Sequence, residues 1–156
     1  MSTDDAKRLL VVAHAPSPNT EALREAVAAG AREVAEVETV VRGPFETGPD
    51  DVIAARAVVL GTTENLGYMS GALKDFFDRC YYPVLEHTEA LPYGLYIRAG
   101  QDGTGTRRAV ESITTGLRWK QVHAPVICRG AWDDAFLDQV RELGTYMAAG
   151  LDAGVL

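Results

Sequence analysis

Strand and helix patterns alternate along this chain, and they predict a doubly wound α/β domain. The expected sheet is parallel and five-stranded, in the order 2-1-3-4-5, with helices on both faces. Three observations lead there. Five short apolar runs punctuate the 156 residues, and amphipathic stretches of helical length separate them. At least one run, AVVLG at Ala57–Gly61, is continuously apolar, as suits a strand covered on both faces. Finally, parallel neighbours need crossovers, and right-handed crossovers leave few topologies. Length and a 47% apolar content fit a single domain over residues 1–156, and no repeat, low-complexity tract or linker interrupts it.

Taken in order, Leu9–Ala13 reads as the first strand, stopped by His14. A polar loop runs from Ala15 to Asn19, and Thr20 opens a helix that extends to about Val37, with Leu23, Val27, Ala31 and Val34 on one face. Glu38–Arg42 is a short second strand, Gly43–Pro49 a turn, and Asp50 and Asp51 are placed to cap a short helix ending at Ala55. Ala57–Gly61 is the third strand. Ser70 then caps the helix SGALKDFFDRCYYPVL, whose Leu73, Phe76, Phe77, Cys80, Tyr81 and Val84 fall at helical spacing as a core stripe. Gly94–Arg98 is the fourth strand, followed by a helix over Thr106–Arg118. Pro125–Cys128 is the fifth strand. Asp133 starts the last helix, with Phe136, Leu137, Val140, Leu143, Met147 and Leu151 turned inward.

The charge balance narrows the partners. Twenty-two acidic against 15 basic side chains give a formal charge of −7, which repels nucleic acid. The same surface suits docking to basic proteins, or solubility alone. Cys80 and Cys128 lie in no CxxC and at no metal-ligand spacing, so two reduced, partly buried thiols are expected. The start MSTDDAKR is acidic and no apolar segment approaches membrane-spanning length, so neither a signal peptide nor a membrane partner is expected, and the location follows as cytoplasmic.

In a doubly wound sheet, ligands bind beyond the carboxyl ends of the strands, where the strand order reverses. That rule selects the loops after the first, third and fourth strands. The first is HAPSPNT, which runs into a helix N-terminus. Free N–H groups and the positive end of the helix dipole favour an anion there, and Ser17, Asn19 and Thr20 add neutral donors. The second, TTENLGYM over Thr62–Met69, is long and polar. The third, AGQDGTG over Ala99–Gly105, has three glycines that let backbone approach a flat ring. A terminal phosphate on the first loop and a planar ring between the other two describe FMN.

The segment GTTENLGYMSGALKDFFDR, Gly61–Arg79, resembles the flavin-ring loop and following helix of the flavodoxin-like NAD(P)H-dependent FMN and quinone reductases. The segment HAPSPNTEAL is similar to the phosphate loop of the same superfamily. The resemblance implies a flavodoxin-like fold, FMN as cofactor, and two-electron transfer from NADH or NADPH to a small-molecule electron acceptor such as a quinone. By position, Ser17, Asn19 and Thr20 would hold the phosphate. Thr62, Thr63, Glu64, Asn65, Leu66, Gly67 and Tyr68 would line the ring, and Gly100, Gln101, Asp102 and Gly103 would cover its other edge. No side-chain acid, base or nucleophile is implied, so no catalytic residue is named. Reductases of this group often assemble into homo-oligomers that complete the flavin site. The chain departs from the family pattern at Thr63, where proline is common, in a shorter phosphate loop, and in lacking a Gly-Gly run after the fourth strand.

Plainer readings stand beside these. Asn19 and Thr20 also suit a helix N-cap, Ser70 and Lys74 a cap and a solvated side chain. Tyr68 reads equally as an ordinary loop tyrosine, and Trp119 and Trp132 as packing at the fifth strand. His87 and His123 read as surface or structural. His14 ends the first strand at the binding edge, where an imidazole can neutralise phosphate. Glu64 is either a partner for the flavin N3–H or a surface carboxylate. Among rival functions, a receiver domain lacks its acidic cluster, since His14, Gly61-Thr62 and Cys128 stand at the required places. A nucleophile elbow is not spaced correctly around Ser70, and Gly100, Gly103 and Gly105 reverse the dinucleotide fingerprint. The remaining rival is a flavodoxin-type carrier, which would hold FMN and pass single electrons between proteins.

Overall fold

The computed structural model describes residues 6–156. The acidic start, on which the reading of the N-terminus rests, lies mostly in residues 1–5, outside the described residues. The strands are β1 (Arg8–Ala13), β2 (Glu38–Arg42), β3 (Ala57–Asn65), β4 (Tyr68–Met69), β5 (Pro92–Ala99), β6 (Lys120–Gln121) and β7 (Val126–Arg129). The helices are α1 (Pro18–Arg32), α2 (Pro49–Ala54), α3 (Gly71–Leu85), α4 (Thr104–Gly116) and α5 (Ala135–Ala153), with a 3-10 turn at Pro44–Glu46. Strands run β2-β1-β3-β5-β6 and pair in parallel, β7 also pairs with β5, and β4 folds back antiparallel on β3.

The doubly wound parallel core is as expected, but among the described residues the sheet has seven strands rather than five. The expected fourth strand is β5. The expected fifth, Pro125–Cys128, is β7 moved by one residue, and β6 is an added short strand ahead of it, since Tyr93 pairs with Gln121 while Tyr96 pairs with Val126. The four residues 122–125 therefore stand opposite Gly94 and Leu95 alone. Pro125 lies in that stretch and has no N–H to give the ladder. The other addition is β4, which forms within the polar segment Thr62–Met69 expected as a loop.

Helix boundaries also moved. Ser17, not Thr20, caps α1, and the helix ends at Arg32 rather than near Val37. Short i→i+3 turns carry the chain on, with Val34 N–H donating to the Ala31 carbonyl and Val37 N–H to that of Val34. Both valines still reach the core cluster beside α1. In α3 the expected cap holds, since Ser70 Oγ accepts the Leu73 N–H at 3.1 Å. Its stripe of Leu73, Phe76, Phe77, Cys80 and Val84 is buried. Each large apolar side chain so buried contributes about 1.5–3 kcal/mol relative to exposure.

Strand alternation divides the core between the two faces. Leu10, Val12, Val58, Leu60, Leu95 and Ile97 join α2, α3 and α4 on one side, where Trp119 packs against Phe77 and Tyr93. On the other side Leu9, Val11, Ala57, Val59 and Tyr96 meet α1 and α5. No helix among the described residues is long and apolar enough to cross a membrane.

Candidate functional site

The carboxyl ends of β1, β3 and β5 lie side by side, and the three loops picked from the sequence all leave from this edge. His14 extends the ladder one step beyond β1 by donating its N–H to the Gly61 carbonyl at 3.0 Å. Ser17 and Thr20 then form a capping box. Ser17 Oγ accepts the Thr20 N–H at 3.2 Å, and Thr20 Oγ1 accepts the Ser17 N–H at 2.9 Å while donating to the Ser17 carbonyl at 3.0 Å. Much of the donor capacity assigned to an anion is thus used in starting α1. Among the described residues, Asn19 is exposed and neither its N–H nor its side-chain amide has a protein partner.

The second loop is a β-hairpin. β3 continues through Asn65, Glu64 pairs with Met69 and Asn65 with Tyr68. The connecting Leu66 and Gly67 have φ of 53° and 75°, the two left-handed residues of a type I′ turn. Thr62 is buried below the hairpin, its Oγ1 donating to the Thr63 carbonyl and accepting the Ser70 N–H at 3.0 Å. Thr63 Oγ1 donates to Asn65 Oδ1 at 2.7 Å. Leu66 and Tyr68, by contrast, are exposed and unusually apolar for a hairpin tip.

The third loop, Gly100–Gly103, is tied to this hairpin. The Glu64 carboxylate accepts the Gln101 N–H at 3.1 Å and the Gly103 N–H at 2.7 Å, one on each oxygen. Thr106 Oγ1 donates to the Tyr68 carbonyl at 2.9 Å, and Gly105 lies so close to the Gly67 carbonyl that a side chain would overlap it. Gly103, at φ 77°, caps α4. Gly100, Gln101 and Asp102 are exposed, and nothing lies within 4 Å of where a Gly100 side chain would stand.

No family model matches the sequence. A curated flavodoxin of Aquifex aeolicus (strain VF5) is 28% identical over 110 residues, which are 70% of this chain and 60% of that one, so the chain spans less than two thirds of this relative. Among solved structures, a flavodoxin from the domain Archaea matches with TM-score 0.78 at 19% identity, covering 93% of this chain and 99% of that chain. A WrbA-like flavodoxin from Agrobacterium tumefaciens matches with TM-score 0.78 at 18% identity, covering 95% and 99%. Two-electron reduced flavodoxin of Megasphaera elsdenii matches with TM-score 0.75 at 17% identity, covering 90% and 98%. The chain has the flavodoxin-like fold.

Within this flavodoxin-like edge, all the residues singled out from the sequence sit on the three neighbouring segments, but they divide by environment. Ser17, Thr20 and Thr62 are engaged in local structure, Glu64 joins two segments, and Asn19, Leu66, Gly67, Tyr68, Gly100, Gln101 and Asp102 face outward. His14 is half-buried with its Nδ1 inaccessible and unpartnered. Burial holds its pKa below the usual value, which favours a neutral ring and a hydrogen-bonding role over a counter-charge.

Three residues escaped the sequence reading. Arg98 donates to the Ala99 and Cys128 carbonyls at 2.9 and 3.0 Å and lies over the Trp132 and Phe136 rings, bracing the base of the third loop. An arginine inside the apolar run GLYIRA was the visible signal. Gly105 and Thr106 were read as loop and helix start, and their contacts with the hairpin have no local signature. A cavity of about 450 Å³ lined by Lys7, Arg56, Pro92 and Leu156 lies at the opposite end of the strands.

Proposed function

We propose that this chain binds FMN at the carboxyl edge of its sheet and acts as an NAD(P)H-dependent oxidoreductase toward a quinone or similar small acceptor. The observation that carries the reading is the hairpin tip. Leu66 and Tyr68 present apolar surface to solvent on one side of an edge whose other side is an open glycine loop. A planar ring needs apolar contact and closely approaching backbone, and these residues fit it. Asn19, with a free amide at the start of α1, fits a terminal phosphate, and the unpartnered His14 Nδ1 fits a site that gains a polar neighbour when filled.

Bound FMN would supply hydride acceptance from a nicotinamide and donation to the acceptor. The chain's own residues bind and orient. Asn19 would hold the phosphate with the α1 N-terminus, Leu66 and Tyr68 would pack on the ring, and Gly100–Gly103 would border its edge. No side chain in the site is placed as acid, base or nucleophile toward these groups. The reading includes a cytoplasmic location, no nucleic-acid or membrane partner, and a homo-oligomer as the working assembly.

One second reading has specific support. The Aquifex relative carries the name flavodoxin, and the net charge of −7 suits docking to a basic redox partner. The experiment that separates the two is anaerobic. Apo-protein is titrated with FMN and riboflavin, then the FMN complex is mixed with NADH and NADPH and finally with a benzoquinone. Tighter binding of FMN than riboflavin, bleaching by a nicotinamide and reoxidation by quinone are expected. Bleaching by dithionite but by neither nicotinamide would replace the oxidoreductase with an electron carrier.

A further inference from the structure

The Glu64 side chain ties the hairpin wall of the edge to the glycine-loop wall. It projects from the third strand just before the hairpin turn, and its two oxygens take two backbone N–H groups of the loop after β5, at 3.1 and 2.7 Å. A carboxylate accepting backbone donors makes charge-assisted bonds, stronger than neutral ones. The seam is reinforced nearby, where Thr106 holds the Tyr68 carbonyl at 2.9 Å and Gly105 lets the Gly67 carbonyl press against α4. Hairpin, glycine loop and α4 N-terminus are therefore one interlocked body. Without the carboxylate, an exposed loop of Gly100, Gln101 and Asp102 has little apolar contact to hold it in place.

We propose that Glu64 is a positioning residue: it clasps the hairpin to the Gly100–Gly103 loop and thereby fixes the distance between the two walls of the ring site. This rests on the FMN reading above and deepens it. A site preorganised in this way binds its ligand without first ordering a loop, which strengthens affinity. The assignment also gives Glu64 a task other than contact with the ring, since both oxygens are already committed to the loop.

The test uses the full chain with Glu64→Ala and Glu64→Gln. Amide hydrogen exchange at Gln101 and Gly103 is measured beside FMN and riboflavin titrations. For Glu64→Ala, exchange at both amides should rise at least tenfold relative to amides in the middle of α4. Affinity for FMN and for riboflavin should fall by the same factor, at least tenfold, because the ring walls and not the phosphate loop are disturbed. Glu64→Gln keeps one acceptor oxygen, so it should restore protection at one amide and recover part of the affinity. If Glu64→Ala does not fold, that partial loss in Glu64→Gln decides alone.

Unchanged exchange at both amides would remove the clasp. Raised exchange with unchanged flavin affinity would leave a clasp with no positioning role. Raised exchange with tighter binding would overturn the proposal in favour of a carboxylate that competes with the ring for the loop's donors. Failure of the unaltered protein to bind either flavin sinks the FMN reading and the positioning role with it, and the exchange data then report on the clasp alone.

Discussion

At position 19 the sequence and the structure separate two tasks that the sequence alone leaves merged. Ser17, Asn19 and Thr20 all read as phosphate donors, yet Ser17 and Thr20 close a capping box while Asn19 keeps a free amide. The two roles make opposite predictions. Asn19→Ala should leave stability nearly unchanged and weaken FMN, since a hydrogen bond to a charged group is worth about 1.5–3 kcal/mol. Riboflavin affinity should not move. Ser17→Ala should instead destabilise the fold by about 0.5–2 kcal/mol through the lost cap. Urea unfolding of the apo-proteins with parallel flavin titrations checks both, and equal loss of FMN and riboflavin in Asn19→Ala would place the phosphate elsewhere. Residue types were legible here because serine, asparagine and threonine before an apolar stripe mark a helix start. Which of them is consumed by the cap depends on backbone geometry, and composition carries no trace of it. Glu64 is the sharper case, because its partners Gln101 and Gly103 are 37 and 39 residues away.

Whole elements were legible where one local pattern governed them, and misread where two competed. The cap at Ser70 and the stripe of α3 follow from spacing alone. The hairpin did not declare itself, because Leu66 occupies a left-handed turn position that glycine, asparagine or aspartate normally fill. The short β6 left no signal either, because Lys120 and Gln121 are polar and exposed and make no apolar run. Contacts between helices left even less in the sequence. α1 and α5 cross so closely that a side chain at Gly144 would overlap the Val27 carbonyl, and one at Gly30 the Arg141 carbonyl. Thr145 Oγ1 donates across the same crossing to the Gly30 carbonyl at 3.1 Å. Gly144→Ala would raise helix propensity by about 1 kcal/mol in isolation. Backbone cannot yield as a flexible side chain does, so the net effect should be destabilising, by about 1–3 kcal/mol. The urea midpoint of Gly144→Ala should therefore fall, and a midpoint at or above that of the unaltered chain would show that the crossing can widen freely.

Over the whole molecule, the sheet joins two apolar clusters that share every central strand, so neither face can leave without exposing the other's support. Leu9 and Val11 belong to one cluster, Leu10 and Val12 to the other. The two thiols report on this division, since Cys80 lies in the α3 side and Cys128 in the α5 side. Burial pushes each thiol from its ordinary 9.0 up to about 11. A raised folded-state value favours the neutral thiol, so the stability it contributes is complete below pH 9 and is lost as pH rises toward 11. The loss is at most about 1.4 kcal/mol per pH unit for each thiol. Burial also raises the Tyr93 and Tyr96 hydroxyls, which adds a background slope of the same sign. The comparison is therefore between the unaltered chain, Cys80→Ala, Cys128→Ala and the double variant, each unfolded in urea from pH 8 to pH 10.5. Because the faces share their strands, one cooperative transition should expose both thiols, and each single variant should remove part of the alkaline slope, with the double variant removing the sum. Two separate transitions, one sensitive to Cys128→Ala and the other to Cys80→Ala, would mean that the α1–α5 layer opens independently of the rest.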